Sequence, residues 1–257
     1  MKLAAQVSAS LLIAAMAATG MSAGAVQTVA YHNVHLRVAD PAKATEWYIK
    51  YLGATKTPPP YSVAFGKTVI AFVATKTQNP SAGSVIDHIG ISYPNLAEKM
   101  KEFEAGGAKI LQPMQMAAGL FNYGYIEDPW GVKIEVVQDP DQLGFHHVHL
   151  RVKDPQATIK WFEDMLGGTR SKLGGRIDGL RYSGVWLLAA AAGNDNPVPS
   201  ADRAIQNLAF QVSDVDAAMT ALKDKQVKAV VEPRSLGDLR YGFIEDPNGV
   251  RIEIIKP

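Results

Sequence analysis

Five of the six histidines in this 257-residue chain lie in two copies of one short run, HNVHLRVADP at 32–41 and HHVHLRVKDP at 146–155. The sixth is His88, in VIDHIGISY. Each half of the chain also closes on an apolar run with a single carboxylate, Glu135 in VKIEVV and Glu253 in VRIEII. Neutral imidazoles with one carboxylate suit a first-row divalent ion and leave coordination positions for a substrate that binds through two neighbouring oxygens. The chain has no cysteine, which removes thiol nucleophiles, disulfides and cysteine-ligated zinc together. Its 26 basic and 25 acidic residues give no electrostatic footprint for nucleic acid, so a small molecule is the expected partner.

The elements that must position these residues are legible from their spacing. In NVHLRVADP, Val34, Leu36 and Val38 alternate with Asn33, His35 and Arg37, the period of a strand with one buried and one polar face. Asp40 can cap the helix that follows and Pro41 suits its first turn. Ala44, Trp47, Tyr48, Tyr51 and Leu52 supply an apolar stripe at helical spacing, and Gly53 ends it. The second copy repeats the pattern with Asp154, Pro155, Trp161, Phe162, Met165, Leu166 and Gly167. Short β-rich runs follow, and IEDPWGVKIEVV reads as strand, tight turn at Asp128–Gly131, strand.

The repeat sets the organisation. Residues 31–54 match 145–168 at nearly half of their positions, and YGYIEDPWGVKIEVV at 123–137 matches YGFIEDPNGVRIEII at 241–255. TKTQNPSAGS at 75–84 and GNDNPVPSADR at 193–203 are polar linkers at matching places. The chain therefore reads as an α+β protein of four β-α-β-β-β modules in two tandem domains. The first spans 26–139, with modules at about 30–76 and 84–139; the second spans 145–257, with modules at about 145–192 and 203–257. QDPDQLG at 138–144 is read as the boundary between them.

That order, with the sequences HLRVADP…WY…LG, HLRVKDP…WF…LG, EDPWGVKIE and EDPNGVRIE, resembles the vicinal oxygen chelate superfamily. Its members include glyoxalase I, extradiol dioxygenases, fosfomycin- and bleomycin-resistance proteins and methylmalonyl-CoA epimerase. The resemblance covers essentially the whole chain after residue 25. It implies that paired modules form an open cup, with helices on the convex side and a divalent metal commonly held inside on first and last strands. Pairing the modules within each half gives two cups.

If Val34, Leu36 and Val38 pack under the helix, Asn33, His35 and Arg37 face a cup, and by the same alternation so do His147, His149, Arg151, His88, Glu135 and Glu253. His32 and His146 fall on the opposite parity and read as rim or core. The resemblance places the first-strand ligand just before the V-x-L-R-V run, at Asn33 in the first half and His147 in the second, and its counterpart at His88 and Asn207. The favoured set is His35, His88 and Glu135 in the first cup, with Glu135 also the candidate proton carrier; His147, His149 and Glu253 form a weaker set in the second. Asn33, Arg37, Asn122, Tyr123, Tyr125, Arg151, Asn207 and Tyr241 are candidates to line the substrate site.

Three functions fit: a metal-dependent lyase or isomerase of glyoxalase type, an extradiol-type dioxygenase, or a metal-free binder that sequesters a small drug-like compound. The metal, where present, is Fe, Mn, Ni or Zn. Residues 1–25 carry Lys2, an alanine-rich apolar run and the close Ala23-Gly24-Ala25, which predict a secretory leader cleaved after Ala25. The expectation is a periplasmic or secreted protein, monomeric or homodimeric, without a membrane anchor after cleavage.

Overall fold

The computed structural model describes residues 25–58, 61–77 and 79–257, so the expected leader lies outside the described residues apart from Ala25. The four modules are present. The first holds β1 (Thr28–Val38), α1 (Pro41–Lys50), β2 (Thr55–Lys56), β3 (Ser62–Phe65) and β4 (Thr68–Ala74). The second holds β5 (Ile86–Ser92), α2 (Leu96–Ala105), β6 (Lys109–Met116), β7 (Asn122–Glu127) and β8 (Lys133–Val137). The third holds β9 (Gly144–Val152), α3 (Pro155–Leu166), β10 (Thr169–Leu173), β11 (Ile177–Tyr182) and β12 (Val185–Ala191). The fourth holds β13 (Ile205–Val212), α4 (Val215–Asp224), β14 (Lys228–Leu236), β15 (Leu239–Glu245) and β16 (Arg251–Lys256).

Local chemistry sets the element ends. Asp40 accepts from Lys43 N at 3.1 Å and Asp154 from Ala157 N at 3.0 Å, which satisfies free N–H groups at the starts of α1 and α3. In the turn between β7 and β8, Asp128 Oδ1 accepts from Trp130 N at 2.9 Å and Val132 N at 2.8 Å, and Gly131 takes a φ of +81°. Val34, Leu36, Val38, Val148, Leu150 and Val152 are buried with the inner faces of α1 and α3, as their alternation requires. Burial of each such side chain is worth about 1.5–3 kcal/mol.

The pairing of the modules corrects the expected layout. Two eight-stranded sheets form, ordered β14-β15-β16-β13-β1-β4-β3-β2 and β10-β11-β12-β9-β5-β8-β7-β6. Module one therefore shares its cup with module four, through β1 antiparallel to β13, and module two shares with module three, through β5 antiparallel to β9. QDPDQLG is not a boundary between cups: it links β8 to β9 within one sheet, while the two polar linkers carry the chain from one sheet to the other. Those linkers run side by side, with Ala204 N donating to Asn79 O at 2.7 Å and Ser84 bridging Val198. The modules of one half still meet on the convex side, where Tyr48 on α1 donates to Asp128 at 2.8 Å and Trp47 donates to Gly106 O at 2.7 Å. One core of buried apolar residues, drawn from all four modules, joins the two sheets.

Candidate metal centre

Antiparallel pairing of β5 with β9 sets His88 opposite His149 and Gly90 opposite His147, and β8 runs parallel to β5 with Glu135 beside Gly90. Because residues directly opposite one another share a face, these side chains converge on the floor of one cup. One ligand-type atom each from His88, Glu135, His147 and His149 lie within 4.8 Å of one another. Glu135 Oε2 is 3.0 Å from His88 Nε2 and 3.2 Å from His147 Nε2.

The outward sides of the His88 and His147 imidazoles are tied. His88 Nδ1 donates to Asp87 Oδ2 at 2.7 Å, an oxygen that Lys133 Nζ also holds at 2.6 Å. Behind His147 runs a buried chain, with His146 Nε2 3.1 Å from Asp139 Oδ2 and His147 Nδ1 2.8 Å from His146 Nδ1. That chain turns His147 Nε2 toward Glu135. An N–H tied to a carboxylate or its relay orients a ligating histidine and raises its basicity. Both nitrogens of His149 are buried without a hydrogen-bond partner. A buried ring left in this state is costly unless something binds it, so the donor set fits a divalent ion.

Electrostatics agree. Burial resists ionisation of Glu135, but His147 and His88 beside it hold its carboxyl well below the usual range. Burial pushes His88 down, yet its bonds to Asp87 and Glu135 leave it raised overall. Burial, with the neighbouring His88 and His147, drives His149 well below the ordinary imidazole value, so it is neutral.

Above the cluster lies a cavity of about 220 Å³, walled by Leu120, Phe121, Leu173, Ile177 and Leu188 and flanked by Tyr123 and Tyr125. Tyr125 stands edge-on to His88 at 5.3 Å, and burial followed by the Glu135 carboxylate raises its hydroxyl pKa. Among the described residues, no lysine or arginine lines this cavity. A larger groove of about 470 Å³, behind the turn at Asp246–Gly249, is lined by none of the histidines.

The structure splits the favoured set. His88 and Glu135 stand together, but His35 belongs to the other sheet, and the donors beside them are His147 and His149. The weaker set is split as well, since Glu253 lies with His35, 3.5 Å from its Nε2. The reason is module pairing: alternation says which face a residue takes, not which strand lies beside it, and the expected partner strand is not the observed one. Arg37 is engaged by Asp202 at 3.2 Å and Thr75 at 2.7 Å, and Arg151 by Asp195 at 3.0 Å, so neither is placed to orient a substrate over the cluster. Of the substrate-site candidates Tyr123 and Tyr125 line the cavity; Asn122, at the start of β7, does not, while Asn33, Asn207 and Tyr241 belong to the other sheet. His146, read as rim or core, is buried behind His147, and its role was hidden by the register shift where β9 meets β5.

In that other cup, burial pushes Glu253 up to about 7, while a bond from Asn33 pulls the other way. A carboxyl whose folded value exceeds the ordinary 4.5 gives stability that is fully present below about 4.5 and is lost as pH rises through about 7. Glu253→Gln is expected to flatten that fall by up to about 3 kcal/mol, read as the difference between denaturant unfolding at pH 5 and pH 8 in the two proteins. Equal pH slopes would mean Glu253 ionises normally.

Two cups of paired β-α-β-β-β modules, with a His/Glu cluster on the floor of one, define a glyoxalase-like protein. The chain belongs to the Glyoxalase/Bleomycin resistance protein/Dioxygenase superfamily, whose model matches residues 30–136 and 144–254. No curated protein matches it. Among solved structures it is similar to glyoxalase I from Zea mays, at 19% identity and a TM-score of 0.70, covering 88% of this chain and 92% of that one. It is also similar to a protein from Bacillus subtilis subsp. subtilis str. 168 assigned as a dioxygenase, at 15% identity and a TM-score of 0.63, covering 90% and 86%. At these identities the likeness is one of fold.

Proposed function

We propose that His88, His147 and Glu135 hold a first-row divalent metal, Fe(II) or Mn(II) foremost, and that the protein is a metal-dependent enzyme cleaving the ring of a small, neutral aromatic diol with dioxygen. One observation carries this reading: two imidazole Nε2 atoms and one carboxylate, from three different strands, converge at the base of an apolar cavity. A two-histidine, one-carboxylate face with open positions is the ligand set of non-haem iron oxygenases. When bound, the ion supplies Lewis acidity toward two adjacent substrate oxygens and electrons for dioxygen chemistry. The chain's own residues do the rest. Glu135, kept ionised, serves as ligand and not as proton carrier. His149, neutral and with both nitrogens unpartnered, is placed to take the proton of a substrate hydroxyl. Leu120, Phe121, Leu173, Ile177 and Leu188 exclude water, and the lack of a lining cation disfavours an anionic substrate.

The test is elemental analysis of protein purified without chelators, followed by oxygen uptake with a panel of catechols. About one metal per chain, with one dioxygen consumed per ring opened, is the expected result. Product without oxygen uptake would favour a lyase or isomerase, a reading supported by the place of His149 in the same donor group as a fourth ligand. Protein without metal would leave small-molecule binding as the function.

The relay behind His147 makes a further prediction. Asp139→Asn is expected to weaken metal binding by about 10–100-fold in a chelator competition, since it replaces the charged acceptor that orders His146 and His147 with a neutral amide. An unchanged affinity would reduce Asp139 to a loop residue.

We also propose export, supported by Lys2, the apolar run and the close at Ala25. Mass spectrometry of the extracytoplasmic protein should find Val26 at its N-terminus; an intact Met1 on soluble cytoplasmic protein would defeat the idea.

A further inference from the structure

The cup shared by modules one and four has a floor of different chemistry. Its floor presents Asn33 where the other cup has His147, Asn207 where it has His88, and His35 and Glu253 where it has His149 and Glu135. Among the described residues the only group of three or more metal-type donors lies in the other cup. A carboxamide is a weak ligand for a first-row ion, so this floor offers hydrogen bonds instead.

Part of that hydrogen-bonding capacity is unused within the protein. Asn33 bonds to Glu253, yet Asn33 Oδ1, Asn207 Nδ2 and Glu253 Oε2 are buried without a hydrogen-bond partner, in residues 4%, 1% and 3% exposed. His35 stands at the mouth, 21% exposed, opposite Asn207. Smaller residues also line one side of this cup. Trp186 and Leu188 flank His147 and His149, whereas Val69 and Ala71 flank Asn33 and His35. Phe243, opposite Glu253, and Tyr241 stand half-buried on the same face as an edge-to-face pair at 5.9 Å, which gives a flat ligand an aromatic wall.

We infer that this cup is a second small-molecule site that works without a metal and takes a neutral aromatic compound bearing two adjacent hydroxyl groups. The count of donors and acceptors selects that ligand. One hydroxyl donates to Glu253 Oε2, its neighbour donates to Asn33 Oδ1, and either oxygen accepts from Asn207 Nδ2. A diol supplies two donors and an acceptor at adjacent atoms; a monoamine or an ether cannot. Anionic ligands are disfavoured because Arg37, the cation nearest along the strand face, is held by Asp202 and Thr75.

The test is anaerobic calorimetry on the full chain, with catechol as probe and 1,2-dimethoxybenzene as the control that lacks donors. In Glu135→Ala, which disables the metal cup alone, one catechol-binding event is expected to survive, and dimethoxybenzene should not produce it. Asn207→Leu is expected to weaken that event about tenfold or more, the loss of one hydrogen bond to a buried group. The isosteric Glu253→Gln, which keeps the packing, should weaken it as well. The inference is overturned if no event survives Glu135→Ala, if dimethoxybenzene binds equally, or if the surviving event ignores both Asn207→Leu and Glu253→Gln. Absence of metal-dependent turnover in the unsubstituted protein, with this event intact, would count against the proposed reaction only.

Discussion

Glu135→Ala is expected to remove most bound metal, from about one ion per chain to below about a tenth of that, while Glu253→Ala leaves metal content unchanged. The argument is one of denticity and charge. Glu135 is the only carboxylate in the cluster and stands between His88 and His147, so its loss leaves neutral imidazoles that water and buffer outcompete. His88→Ala should act similarly, and it also strands Asp87 with Lys133 alone. His35→Asn should change nothing, because His35 belongs to the other sheet. Elemental analysis of the four proteins decides the matter. Metal retained in Glu135→Ala, or lost in Glu253→Ala, would move the centre to the other cup.

The second large effect is expected from a methyl group. Gly90 lies opposite His147 on the neighbouring strand, and a Cβ there would fall inside the His147 imidazole. The ring cannot simply swing away, since its Nδ1 is tied to His146. Gly90→Ala should therefore cost about 1–3 kcal/mol of stability, in the range of overpacked core substitutions, and weaken metal binding about 100-fold or more by tilting Nε2 off Glu135. Adding His147→Asn should restore stability and not metal, because the smaller side chain clears the methyl. The other cup already uses this combination, with Ala209 opposite Asn33. Thermal melting and chelator competition on the single and double variants separate the two effects. A single variant with native affinity would show that the ring has room to move.

Much of this was legible in the sequence. Repeats gave the modules, Asp-Pro pairs gave the helix starts, and alternation put His35, His88, His147 and His149 on concave faces. The strict positions, His88 and His147 against Asn207 and Asn33, were legible too. What alternation does not carry is the identity of the strand next door. A strand pattern fixes which face is buried, whereas the neighbour depends on connection lengths and on a convex core shared by all four modules. One signal pointed to the answer: HIGIS has a glycine where NLAFQ has an alanine, and only the strand facing a histidine ring needs that space. His146 escaped because the irregular register of β9 buries both His146 and His147, which a period of two forbids.

Crosswise pairing changes what it means for one copy of a duplicated unit to decay. Each cup inherits one module from each half of the chain, so the intact centre takes His88 from the first copy and His147 from the second. The amide-lined cup likewise takes Asn33 from the first and Asn207 from the second. Compared copy against copy, each half looks equally damaged, with one histidine kept and one lost. Neither repeat is the degenerate one: specialisation ran along the sheets, not along the chain, and the two halves can diverge only as a pair.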